Sequence, residues 1–316
     1  MPTACDEAAE ERRGRAVIRQ VERLRVVYAR EFDDRLARHR VCARLAKRSD
    51  RQILEIWSVF HRSAGLVGWS PEFRGVLFEN DVVILAGGTG RVGGATLRTL
   101  HDQGARLAVA SRRRESAEQL CAGFPNAIPM VADLADSQSA DTLVADTLKQ
   151  FGRIDAIVNM AGRGKFVPIV DSTTDDLRLN LDGFVITAYN LALAGLRAML
   201  RQDYRDGRRS RGHIVTVTAG SSKDPQPRFG LFGAAKAAVN TLMRGIAREH
   251  KGDGIVANAV VLGGVATEAA RSYLDAQDFA KAASPDEVAR VLAFLASSAS
   301  DGINGELIDL NARETE

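Results

Sequence analysis

Residues 81–100 read DVVILAGGTGRVGGATLRTL, and they carry the clearest structural signal in the chain. Its apolar, β-branched start predicts a buried strand, its glycines predict a tight turn, and the residues that follow have helical spacing. A turn of this kind brings backbone N–H groups and a helix N-terminus close to a phosphate. The stretch therefore predicts a βα unit that binds a phosphate-bearing cofactor. The expected contacts are the glycines of the G-x-x-G-x-x-G pattern and their neighbours: Gly87, Thr89, Gly90, Arg91, Val92 and Gly93.

The alternation of strand and helix continues to the end of the chain. Nearly all-apolar runs predict further strands near residues 106–111, 127–132, 155–160, 213–218, 255–261 and 306–310, with helical segments between them. Apolar strands separated by helices are typical of a parallel sheet covered on both faces. Residues 79–316 are therefore predicted to form a Rossmann-type, doubly wound α/β domain of about seven strands. Ligands of such sheets bind beyond the carboxyl ends of the strands.

Residues 1–78 differ from the rest of the sequence. Apolar positions at helical spacing predict an α-helical N-terminal extension. Residues 1–62 hold 14 arginines and one lysine against ten acidic residues, although the whole chain carries only +3. Because these arginines alternate with acids and lack interleaved aromatics, they favour a solvated helix face over a nucleic-acid surface.

Composition sets the expected environment. No apolar run reaches the roughly 18 residues of a membrane span, and the first residues contain no apolar signal region. The three cysteines are odd in number and widely spaced, without the pairing of a metal site: Cys5, Cys42 and Cys121. These features predict a cytoplasmic protein with reduced thiols, no bound metal and no membrane partner.

Several motifs follow the predicted strands in order: ADL at 132–134, NMAG at 159–162, RLNLDG at 178–183 and VLGGVATE at 261–268. Together with the glycine turn, they resemble the short-chain dehydrogenase/reductase family over residues 81–311. The resemblance implies a small-molecule substrate, a nicotinamide cofactor, and assembly as a homodimer or homotetramer through the helices near 174–201 and 230–250. The cofactor contacts that it implies are Asp133, Leu134, Asn159, Ala161, Gly162, Thr218, Gly263, Val265 and Thr267.

The end of the second predicted strand bears on the choice of dinucleotide. Folds that prefer NAD place an acidic residue there, which accepts hydrogen bonds from the ribose hydroxyls. In this chain the region reads Ser111, Arg112, Arg113. Because a pair of guanidinium groups suits a 2′-phosphate, the sequence predicts NADP in preference to NAD.

The catalytic motif departs from the family pattern. Where the family has Y-x-x-x-K, this chain has F-G-A-A-K, from Phe232 to Lys236, and Ala219 stands where the family has a serine 13 residues before the tyrosine. The resemblance assigns the nicotinamide ribose to Lys236 and matches Asn180 to the asparagine of the catalytic tetrad. Phenylalanine cannot transfer a proton and alanine cannot polarise a carbonyl. The usual carbonyl–alcohol relay is therefore not expected.

Three functional interpretations stay open. The first is an oxidoreductase that acts on a small polar or cyclic substrate by hydride transfer without the tyrosine relay. The second is an inactive family member that senses NADP or serves as a scaffold. The third is a bifunctional protein, because residues 1–78 faintly resemble a helical chorismate mutase. The residues of the type that such chemistry uses are Arg25, Arg44, Lys47, Arg51 and Glu55.

Overall fold

The computed structural model of the protein describes residues 77–205, 207–272, 279 and 282–310. The predicted helical extension, with the residues behind the chorismate mutase resemblance, lies outside this described part, except at its C-terminal end. There Phe78 is fully buried and packs with the strands of the following domain. The proposed boundary at residues 78 and 79 stays a prediction.

Seven strands form a single parallel sheet in the order β3-β2-β1-β4-β5-β6-β7. The predicted Rossmann-type α/β fold is therefore confirmed. The order reverses between β1 and β4, which is where sheets of this type bind ligands. The strands are β1 (Val82–Ala86), β2 (Arg106–Ser111), β3 (Ala127–Val131), β4 (Ala156–Asn159), β5 (Gly212–Ala219), β6 (Ile255–Leu262) and β7 (Leu307–Leu310).

Helices cover both faces of the sheet and bury one apolar cluster on each side. They are α1 (Arg91–Asp102), α2 (Arg114–Cys121), α3 (Ser137–Phe151), α4 (Thr174–Asn180), α5 (Thr187–Met199), α6 (Gly230–Glu249) and α7 (Pro285–Ala296). One cluster packs residues of α3, α5 and α6 against the sheet. The other packs residues of α1, α2 and α7 against the opposite face. Helix α2 was not predicted because it spans only eight residues and lies between short loops.

The long helical segment after β4 is interrupted. Helix α4 ends at Asn180, a π-helical segment spans Leu181–Ile186, and α5 begins at Thr187. Single π-helical segments are rare and often occur at functional sites. By length and composition, Thr174–Met199 is apolar enough to cross a membrane, but 61% of its most apolar window is buried inside the protein. This burial is what a core helix shows, and the expected cytoplasmic location stays a prediction.

Candidate functional site

The glycine turn joins β1 to α1 at the point where the strand order reverses. Gly87 has a φ of 80°, in the left-handed region, and a Cβ added to it would collide with the backbone nitrogen of Ala161. A Cβ added to Gly93 would collide with the backbone of Gly88. Because backbone meets backbone at both positions, no side chain fits there. The turn is therefore held tightly between α1 and the loop after β4.

A cleft opens beside this turn, and its volume of about 570 Å³ lies within the range of small-molecule sites. The structure brings many of the predicted cofactor residues to its walls. They come from the ends of β1 to β4 and from the loops that follow: Gly87, Thr89, Ser111, Arg112, Arg113, Asp133, Leu134, Ala161 and Gly162. The glycine turn, the two arginines and the open cleft together fit an extended, phosphate-bearing dinucleotide.

Further residues line the cleft that were not among the predicted cofactor contacts, although some of them stand within the quoted motifs. They are Ala110, Ser116, Ala132, Ala135, Met160, Arg163, Leu179, Asp182, Gly183 and Thr187. The last four flank Asn180 and recur at helical spacing, so a helical projection around that asparagine would have found them. Ser116 lies in the first turn of α2, and no signal for that helix was recognised.

Some predicted residues shape the turn and do not line the cleft. Gly90 is the N-cap of α1, and Arg91, Val92 and Gly93 form its first turn. Asn159 is buried at the end of β4, where its Oδ1 accepts a hydrogen bond of 3.0 Å from the N–H of Ala161. This contact holds the loop that meets Gly87.

A further group of predicted residues lies beyond β5 and β6, also outside the described walls of the cleft. Thr218 is buried, and its Oγ1 lies 3.5 Å from the carbonyl oxygen of Val260. Gly263 donates its N–H to Leu310, and Val265 pairs with the chain near residue 283. Thr267 accepts a hydrogen bond of 3.3 Å from a backbone N–H three residues later. These residues belong to the half of the site where the family resemblance puts the nicotinamide.

Lys236 lies on α6 and is only 8% exposed. Its Nζ donates a hydrogen bond of 2.9 Å to the carbonyl oxygen of Val217 and lies 4.5 Å from the centre of the Phe184 ring and 5.8 Å from that of Phe232. Burial lowers the pKa of this amine to about 8. Among the described residues, the carbonyl of Val217 and the rings of Phe184 and Phe232 are therefore the contacts that compensate for the hydration that the amine of Lys236 loses on burial.

Phe232 belongs to a cluster of four aromatic rings, which we call the phenylalanine cluster: Phe166, Phe184, Phe229 and Phe232. The ring of Phe232 lies 5.1 Å from those of Phe166 and Phe184 and 6.0 Å from that of Phe229, centre to centre. A Cβ added to Gly162 or Gly164 would collide with the ring of Phe184. The position of the family's tyrosine is therefore filled by a packed ring without a hydroxyl group.

The family model that matches this chain is described as enoyl-(acyl carrier protein) reductase and covers residues 90–312. The match includes the last six strands, the predicted cofactor loops after them, and Lys236. The chain belongs to the short-chain dehydrogenase/reductase family.

Other members of this family match this chain over nearly their whole length. The 2,3-dihydroxy-2,3-dihydro-p-cumate dehydrogenase of Pseudomonas putida is 28% identical over 254 residues, which cover 75% of this chain and 95% of that protein. The (5R,7aS)-5-hydroxy-7a-methyl-1-oxo-2,3,5,6,7,7a-hexahydro-1H-indene-carboxyl-CoA reductase of Mycobacterium tuberculosis is 32% identical, covering 73% of this chain and 91% of that protein. The crystal structure of a short chain dehydrogenase from Mycobacterium smegmatis is 28% identical, with a TM-score of 0.65 over 76% of this chain and 95% of that one.

Short-chain dehydrogenases/reductases are NAD(P)-dependent oxidoreductases of small molecules and are commonly oligomeric. A nicotinamide dinucleotide is therefore the family's cofactor.

The asparagine of the predicted catalytic set, Asn180, is fully buried. Its Nδ2 donates hydrogen bonds to the carbonyl oxygens of Asp176 and Lys165, at 2.8 and 3.3 Å. Its Oδ1 has no hydrogen-bond partner among the described residues. Asn180 therefore joins the end of α4 to the loop after β4.

The position of the family's serine is the last residue of β5, Ala219, paired with Leu262 on β6. Two serines, Ser221 and Ser222, follow Ala219 closely in the chain and could replace the missing hydroxyl group, but Ser222 is engaged elsewhere. Ser222 accepts a hydrogen bond of 2.8 Å from the side chain of Asn240 on α6. Lys165, in the loop after β4, forms an ion pair of 2.7 Å with Asp176, and this pair lowers the pKa of the carboxyl.

Proposed function

We propose that this protein is an NADP-dependent oxidoreductase that transfers hydride without a tyrosine relay, on a small polar or cyclic substrate. The observation that carries the proposal is the buried amine of Lys236, which lies against the ring of Phe232 while the glycine turn and its cleft are fully formed. A family member that had lost cofactor binding would gain nothing from keeping a desolvated lysine there, because burying an amine is costly.

Residues on both sides of β4 would hold the dinucleotide. Gly87 and the N-terminus of α1 suit its pyrophosphate, Asp133 and Leu134 its adenine, and Lys236 its nicotinamide ribose. When bound, the dinucleotide supplies or accepts the hydride. The protein then has to orient the substrate and exclude water, which can provide a large part of a rate enhancement without a strong acid at the reacting oxygen.

Lys236 is the proton carrier in this proposal. Its contacts bring it to the ring that replaces the tyrosine, and a pKa of about 8 leaves both protonation states populated near neutral pH. A group with such a pKa can act as a general acid or a general base. The Pseudomonas relative is named for a dihydroxy-dihydro ring compound, which supports the cyclic alternative for the substrate.

The preference for NADP rests on Arg112 and Arg113, which line the cleft next to Ser111. Replacing both arginines with alanine is expected to weaken NADPH binding by about 10- to 100-fold, because both are exposed and would share one phosphate, and a charge-assisted hydrogen bond contributes about 1.5–3 kcal/mol. NADH affinity should change less than about twofold. Calorimetric titration with both dinucleotides measures this, with Arg248→Ala, an exposed arginine on α6, as the charge control. Equal losses for NADPH and NADH would contradict the preference.

The function itself is tested by titrating the full chain with NADP(H) and NAD(H) and then following the nicotinamide absorbance band. The substrates should represent three classes: carbonyl compounds, activated alkenes and cyclohexadienes. Turnover of an alkene or cyclohexadiene, with slow or absent carbonyl reduction, is the expected result. Failure to bind either dinucleotide would overturn the proposal.

A second candidate function is a non-catalytic sensor or scaffold that binds NADP. It is favoured by the loss of both hydroxyl groups at Ala219 and Phe232, since the loss of one alone would suggest drift. Tight NADPH binding without turnover of any substrate class would support it.

We also propose assembly as a homodimer or homotetramer. Ile186 and Tyr189, one helical turn apart and 37% and 45% exposed, present apolar surface on the helix expected to form the contact.

A further inference from the structure

The loop after β4 exposes a group of large apolar side chains beside the site. Phe166 is 44% exposed, Ile169 62% and Val170 90%. Single exposed apolar residues are common, but several together are typical of a surface that binds a ligand or another protein. Phe166 also belongs to the phenylalanine cluster, so it links this apolar surface to the site described above.

The cluster leads from this surface to the buried amine through successive ring contacts. Phe166 packs on Phe229 at 4.7 Å and on Phe232 at 5.1 Å, centre to centre. Phe232 packs in turn on Phe184, whose face lies 4.5 Å from Nζ of Lys236. A planar ligand that stacks on the exposed part of Phe166 would therefore lie at the entrance to a wholly aromatic wall that ends at an amine.

The wall is held in place by polar contacts outside the rings. The N–H of Val167 donates 3.0 Å to the carbonyl oxygen of Arg228, which joins the loop after β4 to the loop before α6. Arg228 has a φ of 75°, a strained conformation for a residue with a side chain. The ion pair between Lys165 and Asp176 fixes the start of the same loop on α4. The aromatic surface is therefore preorganised, which reduces the entropy lost on binding.

We propose that the phenylalanine cluster is the substrate-binding surface and that it takes a planar, unsaturated carbocyclic ring. This inference rests on the proposed function and narrows its substrate to the cyclic class. Aromatic faces prefer offset or edge-to-face contacts with flat rings and offer no hydrogen-bond partner to a polar acyclic substrate. Phe166 exposes part of its ring, and Phe229 and Phe232 are half-buried, so a flat hydrocarbon ring is the ligand that gains most from these faces.

The ring class also agrees with the missing hydroxyl groups. In the oxidation of a dihydroaromatic ring, one sp³ carbon loses a hydride to NADP⁺, and the neighbouring sp³ carbon loses a proton to the neutral amine of Lys236. The electron pair of the second C–H bond becomes the new π bond, and the products are an aromatic ring, NADPH and a protonated lysine. Since no oxygen changes its protonation, the step requires neither a tyrosine nor a serine.

The binding surface is tested with two ligands of the same skeleton, flat 2-naphthol and its saturated, non-planar form decahydro-2-naphthol. Equilibrium titration of the full chain by calorimetry, with and without NADP⁺, should show 2-naphthol binding about tenfold or more tightly than the saturated compound. Phe166→Ala should weaken 2-naphthol binding by about five- to tenfold. Phe294→Ala is the matched control, since Phe294 is 40% exposed on α7, and it should leave the affinity unchanged.

The outcomes separate this inference from the proposed function. Undetectable or equal binding of the two ligands, or an affinity unaffected by Phe166→Ala, would overturn the ring-binding surface even if NADPH binds tightly. If Phe166→Ala changes the mass in light scattering but not 2-naphthol binding, the surface is a contact between subunits and the inference is wrong. Formation of naphthalene and NADPH from 1,2-dihydronaphthalene supports both proposals. Ring binding that depends on Phe166, without dinucleotide binding, leaves the surface standing and overturns the proposed function.

Discussion

Gly87→Ala is expected to lower NADPH affinity by more than about 100-fold and the free energy of unfolding by about 2–4 kcal/mol. Two causes combine. Alanine is disfavoured at a φ of 80°, and the new methyl group would collide with the backbone of Ala161. Relief of that collision requires the β1 turn to move away from the loop after β4, and this movement would change the phosphate site. Chemical denaturation and calorimetric titration with NADPH measure the two effects.

Gly123→Ala separates the two causes. Gly123 has a φ of 85°, but a Cβ added there meets no atom within 4 Å. The substitution should therefore cost only about 1 kcal/mol of stability, from the left-handed backbone alone, and should leave NADPH binding unchanged. If the two variants behave alike, the contact between the glycine turn and Ala161 does not matter for the cofactor site.

Lys236→Met is expected to weaken NADPH binding by about 10- to 100-fold, because a charged hydrogen bond to the nicotinamide ribose would be lost. The same variant should keep or increase stability near pH 7. Its apolar side chain replaces an amine that is buried between two rings and paired with only one carbonyl among the described residues. Chemical denaturation should thus show an equal or higher free energy of unfolding, while calorimetric titration shows a lower affinity for NADPH. Lys149→Met, on an exposed lysine of α3, should change neither.

The stability of the wild type relative to Lys236→Met should depend on pH. The amine has a pKa of about 8 in the folded protein, below its ordinary value of 10.5. Between these values the unfolded chain retains a proton that the folded protein has lost, so a rise in pH favours folding. The unfolding free energy of the wild type minus that of Lys236→Met should increase by about 3 kcal/mol between a pH below 8 and a pH above 10.5. A difference that does not vary with pH would contradict the burial of this amine.

Much of the fold was predictable from local sequence. All seven strands lie where apolar runs predicted them, and the central strands are the most apolar because strands buried on both faces need such residues along their whole length. The walls of the cleft were predictable where a motif forms at the end of a strand, as for Gly87 and Asp133. Helix α2 and its Ser116 were missed, since eight residues with three charged side chains give a weak periodic signal.

The reactive half of the site was less predictable. The sequence shows that Phe232 and Ala219 lack hydroxyl groups, but not what surrounds them. Phe166 and Phe184 are 66 and 48 residues away from Phe232 in the chain, and neither belongs to a motif. Their contact with Phe232 depends on how α4, its π-helical continuation and α6 pack. It also depends on the absence of side chains at Gly162 and Gly164.

Consecutive residues were enough to establish the order of the strands, the position of the glycine turn and the loss of the tyrosine and serine. These are properties of consecutive residues, and local periodicity and backbone requirements express them. The enclosure of Lys236 by Phe184 and Phe232, and the wall of four rings that leads to it, are seen only in the tertiary structure. Those contacts join distant segments, and burial among them, not the local sequence, lowers the pKa of the lysine to about 8.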